Sequence, residues 1–107
     1  MATVTFGERI SEARKAAGMS QKALASKITK DDGKPISAQY LNDIEHNRRN
    51  ALEYLVLQLA KELNLSADRL FLAAGTMPPD IRENASRAQN EVVKAAFSAF
   101  RRELKRK

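Results

Sequence analysis

The sequence predicts an all-α fold, and three observations lead to that prediction. Alanine and leucine dominate the 43% of hydrophobic residues, and the 107 residues include only four glycines and three prolines. Apolar residues recur three or four positions apart along most of the chain. Serine, asparagine or glycine stands where one such segment gives way to the next, as expected at helix ends. We therefore expect short helices joined by short loops.

The composition also excludes several classes of site. The chain has no cysteine, and its single histidine, His46, cannot form a multi-histidine metal site. No nucleophile–base constellation indicates an enzyme, so we expect no catalytic residue, no cofactor and no metal. No apolar run approaches the ~20 residues of a membrane span, and the N-terminus lacks a secretory signal, which predicts a cytoplasmic protein without a membrane partner. The net charge of +6 suits a polyanion, whether DNA, RNA or acidic lipid.

Helical spacing and capping residues predict the first two helices. Helix one carries its apolar face at Phe6, Ile10, Ala13 and Ala17. Thr5 is its expected N-cap, and Gly18 ends it. Helix two begins at Ser20, with Leu24 and Ile28 four residues apart on its inner face. Both segments are typical of amphipathic helices that pack into one core.

A turn-rich connector over residues 29–36 leads to a third helix, predicted over 37–46. Pro35 keeps helices two and three separate, Ser37 caps the third, and Leu41 and Ile44 face inward. Its opposite face carries Gln39, Asn42, Asp43 and His46. Glutamine and asparagine can pair with adenine, and a carboxylate can accept from cytosine. A solvated face would also be polar, but such faces are usually rich in lysine and glutamate. Residues 20–49 thus predict a helix-turn-helix that reads the DNA major groove.

Two further helices complete the predicted domain. The fourth carries a broad apolar stripe at Leu52, Leu55, Val56, Leu59, Ala60 and Leu63. Asn64 closes it, and Ser66 opens the fifth helix. We expect Leu70, Leu72 and Ala73 to pack inward, and Gly75 to end the fifth helix.

The prolines Pro78 and Pro79 separate residues 1–76 from a C-terminal segment, residues 77–107. Nothing in the sequence breaks a helix between Asp80 and Lys105, so one helix ~39 Å long is expected. One of its apolar faces is formed by Val93, Phe97, Phe100 and Leu104. A domain of this size cannot cover the whole helix. We therefore predict a dimerisation or partner-binding segment with a basic tail; folding back on the domain is the alternative.

The predicted elements match a known pattern. The matching landmarks are Phe6-Gly7-Glu8-Arg9-Ile10, Gly18-Met19-Ser20-Gln21, Leu24-Ala25, Tyr40-Leu41 and Ile44-Glu45-His46-Asn47-Arg48. Residues 6–75 resemble the phage repressor/Cro-type helix-turn-helix family, also called the xenobiotic-response-element (XRE) family. The resemblance implies a five-helix repressor-like DNA-binding domain, here followed by the long C-terminal helix. The connector is longer than the tight turn usual in this family, and its role stays open.

The resemblance implies a role for each matching position. The base-reading positions would be Ala38, Gln39, Asn42 and Asp43. Phosphate contacts are expected from Ser20, Gln21, Ser37, Tyr40, Arg48 and Arg49. Arg14 and Glu45 match a pair that forms a buried salt bridge in the family, which would make their role structural.

Together these features predict a dimeric transcriptional repressor that binds double-stranded DNA, with half-sites ~34 Å apart. The alternative is an antitoxin-type protein, whose C-terminal helix binds a toxin and whose helix-turn-helix regulates its own operon. Neither the operator sequence nor the choice between repression and activation follows from the sequence.

Overall fold

The computed structural model describes residues 4–106 and is all-α over that range, which confirms the predicted fold class. Its seven helices are α1 Phe6–Ala16, α2 Gln21–Ala25, α3 Ala38–Glu45, α4 Glu53–Leu63, α5 Ala67–Ala73, α6 Pro79–Arg87 and α7 Asn90–Lys105. None of them is long and apolar enough to cross a membrane. The outermost residues of the two predicted segments, 1–3 and Lys107, lie outside the described range.

The helix ends follow the predicted capping chemistry. Four N-cap side chains each accept a hydrogen bond from the backbone N–H three residues on, and they belong to Thr5, Ser20, Ser37 and Ser66. Asn47 and Asn64, with φ of 60° and 54°, adopt the left-handed conformation just after α3 and α4. Side-chain caps therefore mark where four of the helices begin, and left-handed asparagines follow the ends of α3 and α4.

The first five helices and the two ends of the connector between α2 and α3 form the hydrophobic core. All fifteen buried hydrophobic residues in the described range fall between Phe6 and Phe71. Helix α1 packs against α3, α4 and α5, while α2 packs against α3. The expectation for Leu72 is wrong, because its side chain is 47% exposed whereas that of Phe71 is 2% exposed. Leu70 and Phe71 centre the core face of α5, and Leu72, about 200° around the helix from Leu70, points outward. Leu52, the N-cap of α4, is also exposed.

Helices α1 and α3 touch through their backbones. A Cβ atom added to Gly7 would lie 2.3 Å from the carbonyl oxygen of Glu45, so no larger residue fits without a shift. The Gly7 N–H donates to Asn47 Oδ1 at 3.0 Å, and Asn47 Nδ2 donates to Thr5 Oγ1 at 2.9 Å. The start of α1 is thereby fixed to the end of α3.

The long connector, residues 29–36, forms a small closed loop. Ile28 and Ile36 are buried at its two ends, and the Ile36 N–H donates to the Ile28 carbonyl at 2.8 Å. Gln58 of α4 accepts from the Thr29 N–H and donates to the Thr29 carbonyl, both at 2.8 Å. The additional residues therefore lengthen the turn while α2 and α3 remain packed together.

The C-terminal segment forms two helices where the sequence predicts one continuous helix. The break falls at Ala88, whose ψ of 155° is extended rather than helical. In an unbroken helix Ile81 and Phe97 would lie far apart. In the structure both residues line one groove of about 360 Å³ between α6 and α7. No residue of either helix is buried. Neither glycine nor proline marks this break, so the sequence carried no local signal for it.

Candidate nucleic-acid interface

Helix α3 has one buried face and one polar face. Leu41 and Ile44 lie in the core, each no more than 1% exposed. The polar side chains on the other side are those of Gln39, Asn42, Asp43 and His46, and Ala38 is half-buried at the start of the helix. The residues predicted to read bases therefore all belong to one short helix, whose polar face is directed away from the core.

A buried ion pair fixes α3 to α1. Arg14 Nε lies 2.7 Å from Glu45 Oε2, and Arg14 Nη2 donates to Glu45 Oε1 at 3.0 Å. The two side chains are 10% and 2% exposed. Arg14 Nη1 also donates to the Met19 carbonyl at 2.9 Å, just before α2. This arginine therefore joins α1, the start of α2 and the end of α3.

The surroundings of this pair keep both groups charged. Burial by itself raises the pKa of Glu45, but hydrogen bonds from Arg14 and Gln21 and the charge of Arg14 outweigh it and hold that pKa below its usual value. The hydrogen bond to Glu45 raises the pKa of Arg14, against the opposing effect of its own burial. Glu45 is consequently an anion that can only accept hydrogen bonds.

Gln21 connects the ion pair to the polar face of α3. Its Nε2 donates to Glu45 Oε1 and to Asn42 Oδ1, both at 3.0 Å. Both N–H bonds of this amide are therefore used inside the domain. The predicted phosphate contact of Gln21 stays a prediction. Sequence reasoning missed the link because Gln21 and Glu45 are 24 residues apart.

A second polar network runs along the exposed face of α3. Gln39 Nε2 donates to Asp43 Oδ1 at 3.0 Å, one helical turn away. The same oxygen accepts from Arg48 Nε at 3.2 Å, and Arg48 Nη2 also lies 3.2 Å from it. The positive charge of Arg48 thus offsets the negative charge of Asp43, which would otherwise repel a polyanion.

The remaining predicted phosphate contacts lie close to this face. The Arg49 guanidinium lies over the Tyr40 ring, 4.3 Å from its centroid, a cation–π arrangement that positions the cation. The hydroxyls of Ser20 and Ser37 accept from backbone N–H groups as helix caps. The described residues contain no group of three or more acidic, cysteine or histidine side chains placed to bind a metal.

The predicted dimer or partner residues lie on α7. Val93, Phe97 and Phe100 line the groove between α6 and α7, and Leu104 is exposed further along the same helix. The groove is strongly apolar and also includes Ile81 of α6.

Comparison with known proteins identifies the family. A family model described as a helix-turn-helix domain matches residues 7–76. The crystal structure of the restriction-modification controller protein C.AhdI from Aeromonas hydrophila is similar, with 34% sequence identity and a TM-score of 0.52, over 64% of this chain and 94% of that one. No curated protein matches the chain. The resemblance to the repressor/Cro type is thus confirmed, and the chain belongs to the helix-turn-helix family as a DNA-binding transcription regulator.

Proposed function

We propose that this protein is a dimeric, sequence-specific repressor that places α3 in the major groove of double-stranded DNA. The observation that carries the proposal is the polar face of α3, which stands opposite its buried face and is fixed to α1 by the Arg14–Glu45 pair. A major groove about 12 Å wide admits a helix of this kind. The net charge of +6 favours association with the phosphate backbone.

The proposed contacts divide into two groups. Base edges are read by Ala38, Gln39, Asn42 and Asp43. Phosphates are contacted by Ser20, Gln21, Ser37, Tyr40, Arg48 and Arg49. The charge of Arg49, positioned against the Tyr40 ring, supports the second group. Contacts to phosphates set the position of the helix on the duplex, and contacts to bases choose the sequence.

We propose that a second copy of the chain covers the groove between α6 and α7. Neither helix has a buried residue, and Phe97 and Phe100 are each 38% exposed within an apolar surface. A two-fold dimer covers the same surface on both chains at once. Val93 and Leu104 extend this surface along α7. The resulting dimer would present its two α3 helices to half-sites ~34 Å apart.

The similarity to a restriction-modification controller supports a regulatory role. A partner protein of the toxin class is the other possible occupant of the groove. Such a partner would bind the same apolar surface as a second copy of the chain. The composition of the purified complex therefore distinguishes a homodimer from a complex with a toxin.

Selection of bound sequences from a random DNA pool, together with a mass measurement of the free protein, tests the proposal. We expect a two-fold symmetric site and the mass of a dimer. Phe97→Ser should shift the free protein towards the monomer, whereas Ala95→Ser, on an exposed position outside the groove, should not. A monomeric wild type that selects a single half-site would refute the dimer, and a co-purifying small protein would favour the toxin-type complex.

A further inference from the structure

We propose that a cavity between α1 and α5 binds a small organic carboxylate, held by Arg9 and Arg69. The cavity has a volume of about 330 Å³, near the lower end of the range for small-molecule sites. None of the residues that line it is among the predicted DNA contacts. The proposal therefore does not depend on the proposed DNA-binding function.

The cavity lies on the side of α1 that faces away from α3. Gly7 and Arg14, seven residues apart, share the face of α1 that contacts the end of α3. Arg9 and Ala16 line the cavity, and at 3.6 residues per turn they fall on the opposite side of the helix. A ligand in the cavity would thus leave the polar face of α3 uncovered.

Arg9 brings a buried donor without a partner to this cavity. Its Nε is the sole buried side-chain nitrogen or oxygen in residues 4–106 that lacks a hydrogen bond. A donor withdrawn from water without an acceptor is costly, and nearly all buried polar groups in folded proteins are hydrogen-bonded. Because Arg9 lines the cavity, an acceptor bound there would supply the missing partner.

The charges around the cavity favour an anion. Arg69 of α5 lines it together with Arg9, and the one acidic side chain of its lining is that of Glu12. Within residues 4–106 neither arginine forms an ion pair. A ligand with one negative charge would balance the remaining positive charge. A carboxylate can also bind a guanidinium through two parallel hydrogen bonds.

The apolar part of the lining favours an anion that carries a hydrocarbon group. Leu70 is 1% exposed, and Ala13 and Leu65 are half-buried. These three side chains form an apolar wall in the same cavity as the two guanidinium groups. Small-molecule sites typically combine such a wall with a few charged groups that fix the orientation of the ligand. An inorganic anion would leave the wall uncovered, so we assign an organic carboxylate.

NMR titration of the ¹⁵N-labelled, full-length protein with benzoate tests the proposal. The comparison probes are benzamide, which has the same shape without the charge, and inorganic phosphate, which has charge without hydrocarbon. We expect benzoate to bind with a dissociation constant of about a millimolar or tighter, and to shift the backbone amides of Ala13, Ala16 and Leu65. At equal ionic strength benzamide should bind at least about tenfold more weakly, and phosphate should also bind more weakly than benzoate.

Variants of the lining assign the binding to individual side chains. Arg9→Met keeps a hydrocarbon side chain but removes the guanidinium, and should weaken benzoate binding at least about tenfold. Arg69→Met should weaken it too. Glu12→Gln removes the repelling charge and should strengthen binding, by up to about fivefold. Lys15→Met, which removes an exposed positive charge of α1 outside the cavity, is the matched control and should bind benzoate as the wild type does.

Thermal melting separates ligand binding from a purely structural role of Arg9. Without benzoate, Arg9→Met should melt no lower than the wild type, because the substitution removes an unpaired buried donor. With benzoate, the wild type should melt at a higher temperature and Arg9→Met should not. A variant that melts lower by the same amount with and without benzoate would show that Arg9 only supports the fold, and would refute the proposal.

Three NMR results would also refute the proposed site. Shifts confined to residues 38–49 would place the anion on the predicted DNA-contacting surface instead. Equal binding of benzoate and benzamide would show that the guanidinium groups play no part. An absence of shifts at the lining residues, at benzoate concentrations far above a millimolar, would mean that water alone satisfies Arg9. None of these results bears on DNA binding, which site selection measures separately.

Discussion

Replacing Arg14 with methionine should destabilise the domain severely, because Glu45 would lose its counter-charge in the interior. The substitution removes donors that lie 2.7 and 3.0 Å from the Glu45 carboxylate, and a third bond to the Met19 carbonyl. The Glu45 side chain is 2% exposed and cannot recover its hydration. Leaving one member of a buried pair without its partner costs about 3–5 kcal/mol. The free energy of unfolding of a small domain is roughly 5–15 kcal/mol, so the substitution would remove much of the stability of this domain.

The reverse substitution, Glu45→Gln, should cost less. Arg14 is 10% exposed, and the glutamine oxygen can still accept one of its hydrogen bonds. The loss is then that of a charged hydrogen bond, about 1.5–3 kcal/mol. Replacing both residues with methionine should restore much of the loss, because a buried ion pair and an apolar pair of similar volume are often nearly equal in stability.

Urea unfolding followed by circular dichroism measures all three free energies. Arg82→Met is the matched control, because Arg82 and Glu53 form an ion pair that is largely exposed and should be worth about 0–1 kcal/mol. The reasoning would be refuted if Arg14→Met lost less than about 1 kcal/mol. A double methionine variant that lost as much stability as Arg14→Met alone would also refute it, since removing the unpaired carboxylate would then have restored nothing.

Two further predictions concern pH and close packing. The folded-state pKa of Glu45 lies below its unfolded value of about 4.3, so the ion pair contributes fully above that pH and is lost as the pH falls through the folded pKa. The unfolding free energy of Glu45→Gln should therefore fall less than that of the wild type between about pH 6 and pH 3; equal slopes would contradict this. Gly7→Ala should cost about 1–3 kcal/mol in urea unfolding, because its Cβ would lie 2.3 Å from the Glu45 carbonyl oxygen. Lys15→Ala, exposed on the same helix, is its control, and equal losses would contradict the close contact.

The helices of the DNA-binding domain could be predicted because their ends depend on local chemistry. Thr5, Ser20 and Ser37 cap the backbone three residues ahead, which a sequence shows directly. The ion pair between Arg14 and Glu45 was expected from the family resemblance, although the two residues are 31 positions apart. Spacing alone could not have paired them.

Elsewhere the outcome depended on packing that the sequence does not reveal. Phe71 rather than Leu72 enters the core because of the rotation of α5 about its own axis where it packs against α1 and α4. The spacing of apolar residues within α5 does not determine that rotation. The extended residue Ala88 brings the apolar residues of α6 and α7 to one groove. Alanine is a strong helix former, so its intrinsic preference predicts the opposite there. Tertiary context overrides propensity in such a case.

The hydrogen-bonding character of α3 shows why the interface was harder to predict than the fold. A sequence assigns a role to each residue separately, and by that reasoning Gln21 contacts phosphate and Asn42 reads adenine. In the structure Asn42 Oδ1 accepts a hydrogen bond from Gln21, whose amide also donates to the Glu45 carboxylate, and Arg14 is the counter-charge of that carboxylate. Each step is simple chemistry, but the order of the steps is set by contacts between α1, α2 and α3. The buried ion pair that stabilises the fold is thus hydrogen-bonded, through Gln21, to a predicted base-reading residue of α3.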